Sequence, residues 1–370
     1  MTSNNTTEID SQTLSNWLKA GKNVSILDIR SLSERAEWRI PQSLHADVYD
    51  ALKAGNEKAL DFLSFDKNIP VVSLCAGGKL SLFATEILSR KGYEAYSLSG
   101  GMKAWNYAWD TAIVQMENVT ILQIRRVAKG CLSYLIGSGE QAMVIDASLD
   151  PYVYMNLATE NGWKIEYATD THIHADYVSR TKELVQASGA KHLMIGTANV
   201  LYDFVPVTNE EIIKIGDTHL QVLHTPGHTY ESVSWVLTDK ALFTGDTLFT
   251  DGIGRPDLKA DEEESKSKAI MLFSSLQQLM AFDSRMMVFP AHVSKSIVLG
   301  QEAITATLEQ LKNDIAALSL EKQDFVNGIL ANLPPTPPNY LTIAEINRKG
   351  NSTEYNLADL EAGANRCAIQ

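Results

Sequence analysis

The side chains best suited to chemistry in this 370-residue chain gather first at Asp170-Thr171-His172-Ile173-His174-Ala175-Asp176-Tyr177. Imidazoles and carboxylates are the common ligands of divalent transition metals. His172 and His174 are two apart, so in extended backbone both rings point the same way, and Asp176 continues that face. Alone, a His-X-His is as readily structural as metal-binding. Three later segments change the balance: the turn Pro226-Gly227-His228-Thr229, the run Phe243-Thr244-Gly245-Asp246, and Val288-Phe289-Pro290-Ala291-His292. Together with the first cluster, these segments hold four of the eight histidines. Each of the three lies at the end of a strand-like run, so one metal site can collect them all.

The positioning elements are legible around these residues. Residues 164–169 read as a strand and 181–187 as a helix, which puts the first cluster on a strand-to-helix loop, a common ligand position in α/β folds. Further strands are expected at 119–126, 131–136, 142–146, 212–215, 220–224, 232–237 and 241–244, with a helix at 151–160. The acidic run Asp261-Glu262-Glu263-Glu264 suits the start of the helix that follows it. The run Leu333-Pro334-Pro335-Thr336-Pro337-Pro338 reads as an extended strap. Cys131 falls inside a strand pattern and reads as core. His45 and His192 have no partner cluster and read as surface or core residues; His219 and His224 flank one strand just before the Gly-His turn and could be ligands by proximity, with the structural reading preferred.

A second nucleophile stands apart from the metal candidates. Cys75 ends the apolar strand 70–74 and precedes Ala76-Gly77-Gly78-Lys79-Leu80-Ser81, where a helix begins. Backbone N–H groups of such a turn favour a thiolate or a bound anion, so Gly77, Gly78, Lys79 and Ser81 are candidate substrate contacts. Strands at 24–29 and 93–98 and a helix capped by Ser11 complete an alternating pattern whose short apolar strands suit a sheet covered on both faces. Residues 110–118 show little periodicity and read as the boundary, with no Gly/Ser- or Pro-rich tether.

Two resemblances follow from these motifs. Asp28-Ile29-Arg30, Arg39-Ile40-Pro41, Leu98-Ser99-Gly100-Gly101 and Ala104-Trp105 resemble the rhodanese family, with Cys75 at its persulfide-carrying position. Leu80 stands where many active loops have Arg or Thr. The set His172, His174, Asp176, His228, Asp246 and His292 resembles the metallo-β-lactamase superfamily, in which Tyr177 replaces a loop His and Arg180 a Gly. The implied fold is α/β: an N-terminal rhodanese-like parallel-sheet domain (8–110) followed by a metallo-β-lactamase αββα sandwich (118–370).

Within that superfamily the pattern is similar to the persulfide dioxygenases, as are Gly254-Arg255-Pro256-Asp257 and the tail from Glu361 to Cys367. This implies one Fe(II) per chain on His172, His228 and Asp246, with His174 second-tier. Two His and one carboxylate with open positions suit non-haem iron and oxygen chemistry. Asp176, Tyr177 and His292 then mark a vestigial second metal site, short of one imidazole. Arg255 either clamps a substrate carboxylate or pairs with Asp257. The implied small molecules are a thiol persulfide, thiosulfate or glutathione, and O2. The alternatives are a glyoxalase II-type zinc thioester hydrolase, or a sulfur-binding protein without catalysis. A homodimer is left open.

Composition sets outer bounds. With 45% hydrophobic residues the chain can bury a core, and a net charge of −13 disfavours nucleic acid or an anionic membrane as partner. Residues 1–8 lack the basic and apolar parts of a signal peptide, and three scattered cysteines form no disulfide framework. A reducing, cytoplasmic location is the expectation.

Overall fold

The computed structural model describes residues 7–293, 297–300, 302–336, 338–363 and 367–369. Pro337 of the strap and residues 364–366 of the tail lie outside the described residues, as do residues 1–6. Among the described residues no helix is long and apolar enough to cross a membrane.

Short runs, most buried at the centre, build the first sheet. Val71–Leu74 has every side chain inside, as expected of a central parallel strand with helices on both faces. Five parallel strands lie in the order Thr7–Ile9, Ala95–Leu98, Val71–Leu74, Ser25–Asp28 and Leu44–His45. The helix Ser11–Lys19 is capped by the Asp10 side chain, which accepts from Thr13 N. Ser11 therefore lies one position inside the helix it was expected to cap, because the carboxylate of the preceding residue reaches the free N–H first.

The second domain stacks two sheets. One has seven strands, ordered Val205–Val207, Lys191–Ile195, Lys164–Thr169, Gln141–Ile145, Leu132–Ser138, Val119–Arg126 and Trp109–Met116. The other has six: Ile212–Ile215, Thr218–His224, Val233–Leu237, Ala241–Gly245, Met287–Pro290 and Ala306–Thr307. Tyr134, Ile136 and Met143 of the first sheet meet Trp235, Phe243 and Phe289 of the second in one buried cluster. The outer faces are covered in turn. Leu135 and Val144 pack with Tyr154 and Leu184 of the helices Pro151–Glu160 and Thr181–Ser188. Leu242 and Val288 pack with Leu272 and Leu276 of the helix Glu262–Met280, which Asp261 caps. The result is the expected four-layer αββα arrangement behind a parallel-sheet domain.

The boundary segment differs from expectation. Trp109–Met116 is a strand paired antiparallel along its whole length with Val119–Arg126, at the edge of the seven-stranded sheet. Its side chains alternate in burial, with Asp110, Ala112, Val114 and Met116 lying deeper than their neighbours, but an inward Asp110 and an exposed Ile113 hide that alternation in the sequence. The two domains also share core: Ile9, Leu14, Trp105 and Ala108 belong to the same buried cluster as Val127 and Val293.

Candidate metal centre and the Cys75 loop

The loop after Lys164–Thr169 is held from both sides. From below, Asp146 accepts Thr171 N at 2.7 Å and Thr171 Oγ1 at 3.0 Å. From above, Asn347 Nδ2 donates to His174 O and Tyr177 O at 2.8 Å each, and its Oδ1 accepts Ser179 N. Glu361 Oε1 accepts Val178 N at 3.0 Å. Burial pushes the Asp170 carboxyl up to about 6 against the pull of His174, and Ser179 and Thr181 hydroxyls donate to it.

This frame brings His172, His228 and Asp246 together. Asp246 Oδ2 lies 3.7 Å from His172 Nε2 and 3.6 Å from His228 Nε2, and all three side chains are buried. Gly227, at φ +147°, lets the turn press against the helix Glu262–Met280, since a Cβ there would sit 2.4 Å from Leu272 Cα. His228 Nδ1 lies 2.8 Å from Arg255 O. A carbonyl only accepts, so Nδ1 carries the proton and Nε2 the lone pair. Burial holds both His172 and His228 below the ordinary imidazole range, so both rings are neutral near pH 7. His172 Nε2 has no hydrogen-bond partner among the described residues. An orphaned buried acceptor costs about 1–3 kcal/mol, and a divalent cation between two imidazoles and a carboxylate removes that cost. The donor set fits one such ion.

His174 sits differently. Its Nε2 is 3.1 Å from Asp146 Oδ1 and 2.8 Å from the Tyr177 hydroxyl, and the Tyr177 ring stacks on it with centroids 4.3 Å apart. Burial opposes its charge, but Asp146 outweighs this and raises its pKa. His174 Nδ1 is buried and unpartnered among the described residues. Asp176 and His292 adjoin the centre: His292 Nε2 lies 2.8 Å from Asp176 Oδ2 and its Nδ1 2.5 Å from Asp246 Oδ1. Two cysteines join them. Cys131 lies within ligand spacing of Asp176 and His292, and Cys367 of Asp246 and His292. Cys131 is buried, as its strand pattern indicated, but its neighbours are polar rather than apolar. Its partners come from segments far away in sequence, so no local signal marked them.

Arg255 takes the second of its two readings. Its Nε and Nη2 bind the Asp257 carboxylate at 2.8 Å each, and its guanidinium donates to the carbonyls of Pro334 and Pro335. It is fully buried, so its fork fixes the strap instead of meeting a substrate carboxylate. Arg180 pairs with Glu183 at the start of its helix. His45 Nε2 lies 2.9 Å from Arg30 O, and the His192 ring stacks on Tyr202.

Cys75 ends the strand Val71–Leu74 and is nearly sealed from solvent, at 3% exposure. Ser81 Oγ lies 3.5 Å from its Sγ, in the first turn of the helix Lys79–Arg90. Gly77 and Lys79 are exposed, Gly78 is buried at φ +84°, and Leu80 is half-buried against the domain core. Gly101 allows the loop to close: a Cβ there would sit 2.2 Å from Cys75 O.

Sequence comparison bears on the same two regions. A rhodanese-like domain model matches residues 10–108, and a metallo-beta-lactamase superfamily model matches residues 126–292. A solved metallo-beta-lactamase of Staphylococcus aureus subsp. aureus COL is 30% identical, with 65% of this chain and 74% of that one covered and a TM-score of 0.59. The chain belongs to the metallo-beta-lactamase superfamily. This superfamily member carries a rhodanese-like domain ahead of its sandwich. It is 29% identical to a hydroxyacylglutathione hydrolase of Methylococcus capsulatus over 55% of this chain and 78% of that protein. It is 27% identical to the mitochondrial persulfide dioxygenase ETHE1 of Mus musculus over 58% of this chain and 82% of that protein.

Proposed function

We propose that the second domain oxidises a thiol persulfide with O2 and one water at one ferrous ion held by His172, His228 and Asp246, breaking the S–S bond to give sulfite and the free thiol. Cys75 of the first domain then exchanges sulfane sulfur with the same pool of small thiols. The observation that carries this reading is the convergence of two neutral imidazole nitrogens and one carboxylate oxygen, with Tyr177 where the superfamily's loop has a further His. Two His and one carboxylate with open positions are the donor set suited to non-haem iron. The likeness to a protein named persulfide dioxygenase, and the rhodanese-like domain on the same chain, support it.

An iron ion bound there supplies the activation of O2 toward the persulfide sulfur. The protein's own residues orient the substrate and hold the ligands. A cavity of about 220 Å³ opens beside His228, walled by Ile173, Ala175, Leu258 and Ala344. Its apolar wall limits water near the reacting sulfur. Tyr230, Lys268 and Arg348 at the same cavity offer a phenol and two cations to a carboxylate-bearing thiol. Arg255 O fixes His228 in the tautomer that points Nε2 inward.

A second reading, a zinc thioester hydrolase of the glyoxalase II type, is favoured by the unpartnered Nδ1 of His174 and by the hydroxyacylglutathione hydrolase relative. Oxygen uptake and sulfite formation with glutathione persulfide, run beside hydrolysis of a glutathione thioester, separates the two. Iron in the purified protein with oxygen uptake is expected. Thioester hydrolysis with zinc and no oxygen uptake would overturn the proposal.

A further inference from the structure

We propose that the edge strand Trp109–Met116 pairs antiparallel with the same strand of a second copy of this chain, about a two-fold axis at Ile113. Two contacts fix which backbone groups face outward. Val127 N donates to Ala108 O at 2.9 Å, so the carbonyl of Ala108 faces the neighbouring chain. Trp109 faces the other way: its N–H donates to Gln12 Oε1 at 3.2 Å, and its carbonyl accepts Gln12 Nε2 at 2.9 Å. In an antiparallel ladder this orientation alternates residue by residue. Pairing with Val119–Arg126 runs from Trp109 to Met116 without a shift of register, so Thr111, Ile113 and Gln115 also turn N–H and C=O outward. Among the described residues no strand lies beyond them and no hydrogen bond reaches their main chain from that side.

This edge lacks the protection that the others carry. Exposed edges are commonly blunted by proline, by lysine or by being very short. Val205–Val207 carries Pro206 and Ile212–Ile215 carries Lys214. Thr7–Ile9, Leu44–His45 and Ala306–Thr307 are only two or three residues long. The run Thr111-Ala112-Ile113-Val114-Gln115-Met116 has neither proline nor charge, and Asp110 before it is buried against Arg125. Ile113, at its middle, is 62% exposed. Its Thr, Ile and Val are residues that suit a further strand.

The geometry selects a second copy over an unrelated strand. Gln12 fills the place opposite Trp109, and the chain turns back at Glu117-Asn118, so the open window runs from Asp110 to Met116 with Ile113 at its centre. A two-fold there sets Ile113 against Ile113 and Thr111 against Gln115. Their outward groups then close about six main-chain hydrogen bonds, two for each opposed pair. The place opposite Trp109 falls to Glu117 of the second copy, which already lies in the turn and leaves Gln12 undisturbed. Charge agrees. Each copy carries −13, which opposes association, but the window displays no charge and Glu117 at its end is paired with Lys240. A stable interface takes about 20–30 residues a side. Residues 110–116 fall short of that, so the dimer is weak and its population follows protein concentration.

Sedimentation of the full-length chain over a range of concentrations, with disulfide trapping beside it, tests this. The wild type is expected to pass from monomer to dimer, and to do so at lower concentration when salt screens the charge on each copy. Ile113→Lys should weaken association about tenfold or more, because it opposes two ammonium groups across the axis. Its thermal midpoint should stay unchanged, since the position is exposed. Ile113→Cys should give a disulfide-linked dimer on mild oxidation, because directly opposed residues lie about 5.5 Å apart at Cα, within the span of a disulfide. Gln115→Cys should not, because its two copies stand about four residues apart along the strands. The native cysteines are buried and provide the background for trapping. A wild type that stays monomeric overturns the proposal. So does a dimer that survives Ile113→Lys, or trapping of Gln115→Cys as readily as Ile113→Cys.

Discussion

Glu361 Oε2 lies 2.8 Å from the Arg126 guanidinium, and both side chains are sealed from solvent. The other carboxylate oxygen of Glu361 accepts Val178 N in the metal loop. Its backbone carbonyl accepts Asn106 Nδ2 and Lys129 Nζ. One residue of the tail thus ties together the end of the first domain, the strand Val119–Arg126 next to the sheet edge, and the metal loop.

Glu361→Ala leaves Arg126 as a buried cation without its counter-charge, and breaking such a pair costs about 3–5 kcal/mol. The denaturant midpoint should fall accordingly, and the metal loop should lose bound ion in parallel. A loss under about 1 kcal/mol would mean that water or another acid replaces the carboxylate.

His228→Ala and Asp246→Ala should each abolish oxygen uptake and most bound iron, since a three-residue set has no spare ligand. His174→Ala should lose less metal, because its Nε2 is already engaged by Asp146 and Tyr177. Iron analysis of the three variants checks this, and equal losses would make His174 Nδ1 a direct ligand.

Tyr177→Phe keeps the ring stacked on His174 but removes the hydroxyl 2.8 Å from His174 Nε2. Outer-shell partners of this kind are worth about 10–100-fold in metal affinity or activity. Oxygen-uptake rates should fall within that range with little change in thermal midpoint. Unchanged rates would confine Tyr177 to packing.

Cys75→Ser should remove sulfur transfer from thiosulfate and leave oxygen uptake on free glutathione persulfide intact. Cys75 stands at the head of the helix Lys79–Arg90 in the first sheet, and none of the metal-centre residues comes from that sheet. Thiosulfate activity in the variant would rule Cys75 out.

Acid should weaken the first domain through Asp28. Burial raises the Asp28 carboxyl, but hydrogen bonds and charge from Arg30, with Arg35, outweigh it and leave the pKa below its ordinary 3.8. A carboxylate lowered on folding contributes stability above its unfolded value, and that stability is lost as pH falls through the folded value. Asp28→Asn should therefore destabilise the domain at neutral pH and flatten its stability profile below pH 4, as measured by denaturant unfolding across pH.

Much of this was readable along the chain. His172, His228 and Asp246 announce themselves because each closes a strand, and strand ends in stacked sheets converge on one edge. Cys75 announces itself through the glycine turn that follows it. What escaped was set by contacts between distant segments. Cys131 looks like core until His292 is placed across from it. Arg255 gives no local hint that two strap carbonyls will consume its donors. The strand Trp109–Met116 is hidden from periodicity because its inward face carries Asp110 and its outward face Ile113, so the alternation of burial is not one of polarity.

The same edge strand bears on how sulfur would move. Trp109–Met116 is hydrogen-bonded to its neighbour from its first residue to its last, and Ile9, Leu14, Trp105 and Ala108 share a buried cluster with Val127 and Val293, so the first domain is packed on the second rather than hung on a free tether. Under the proposed function, sulfur passing between Cys75 and the metal centre travels on a freely diffusing carrier thiol, and its rate should track the concentration of that carrier.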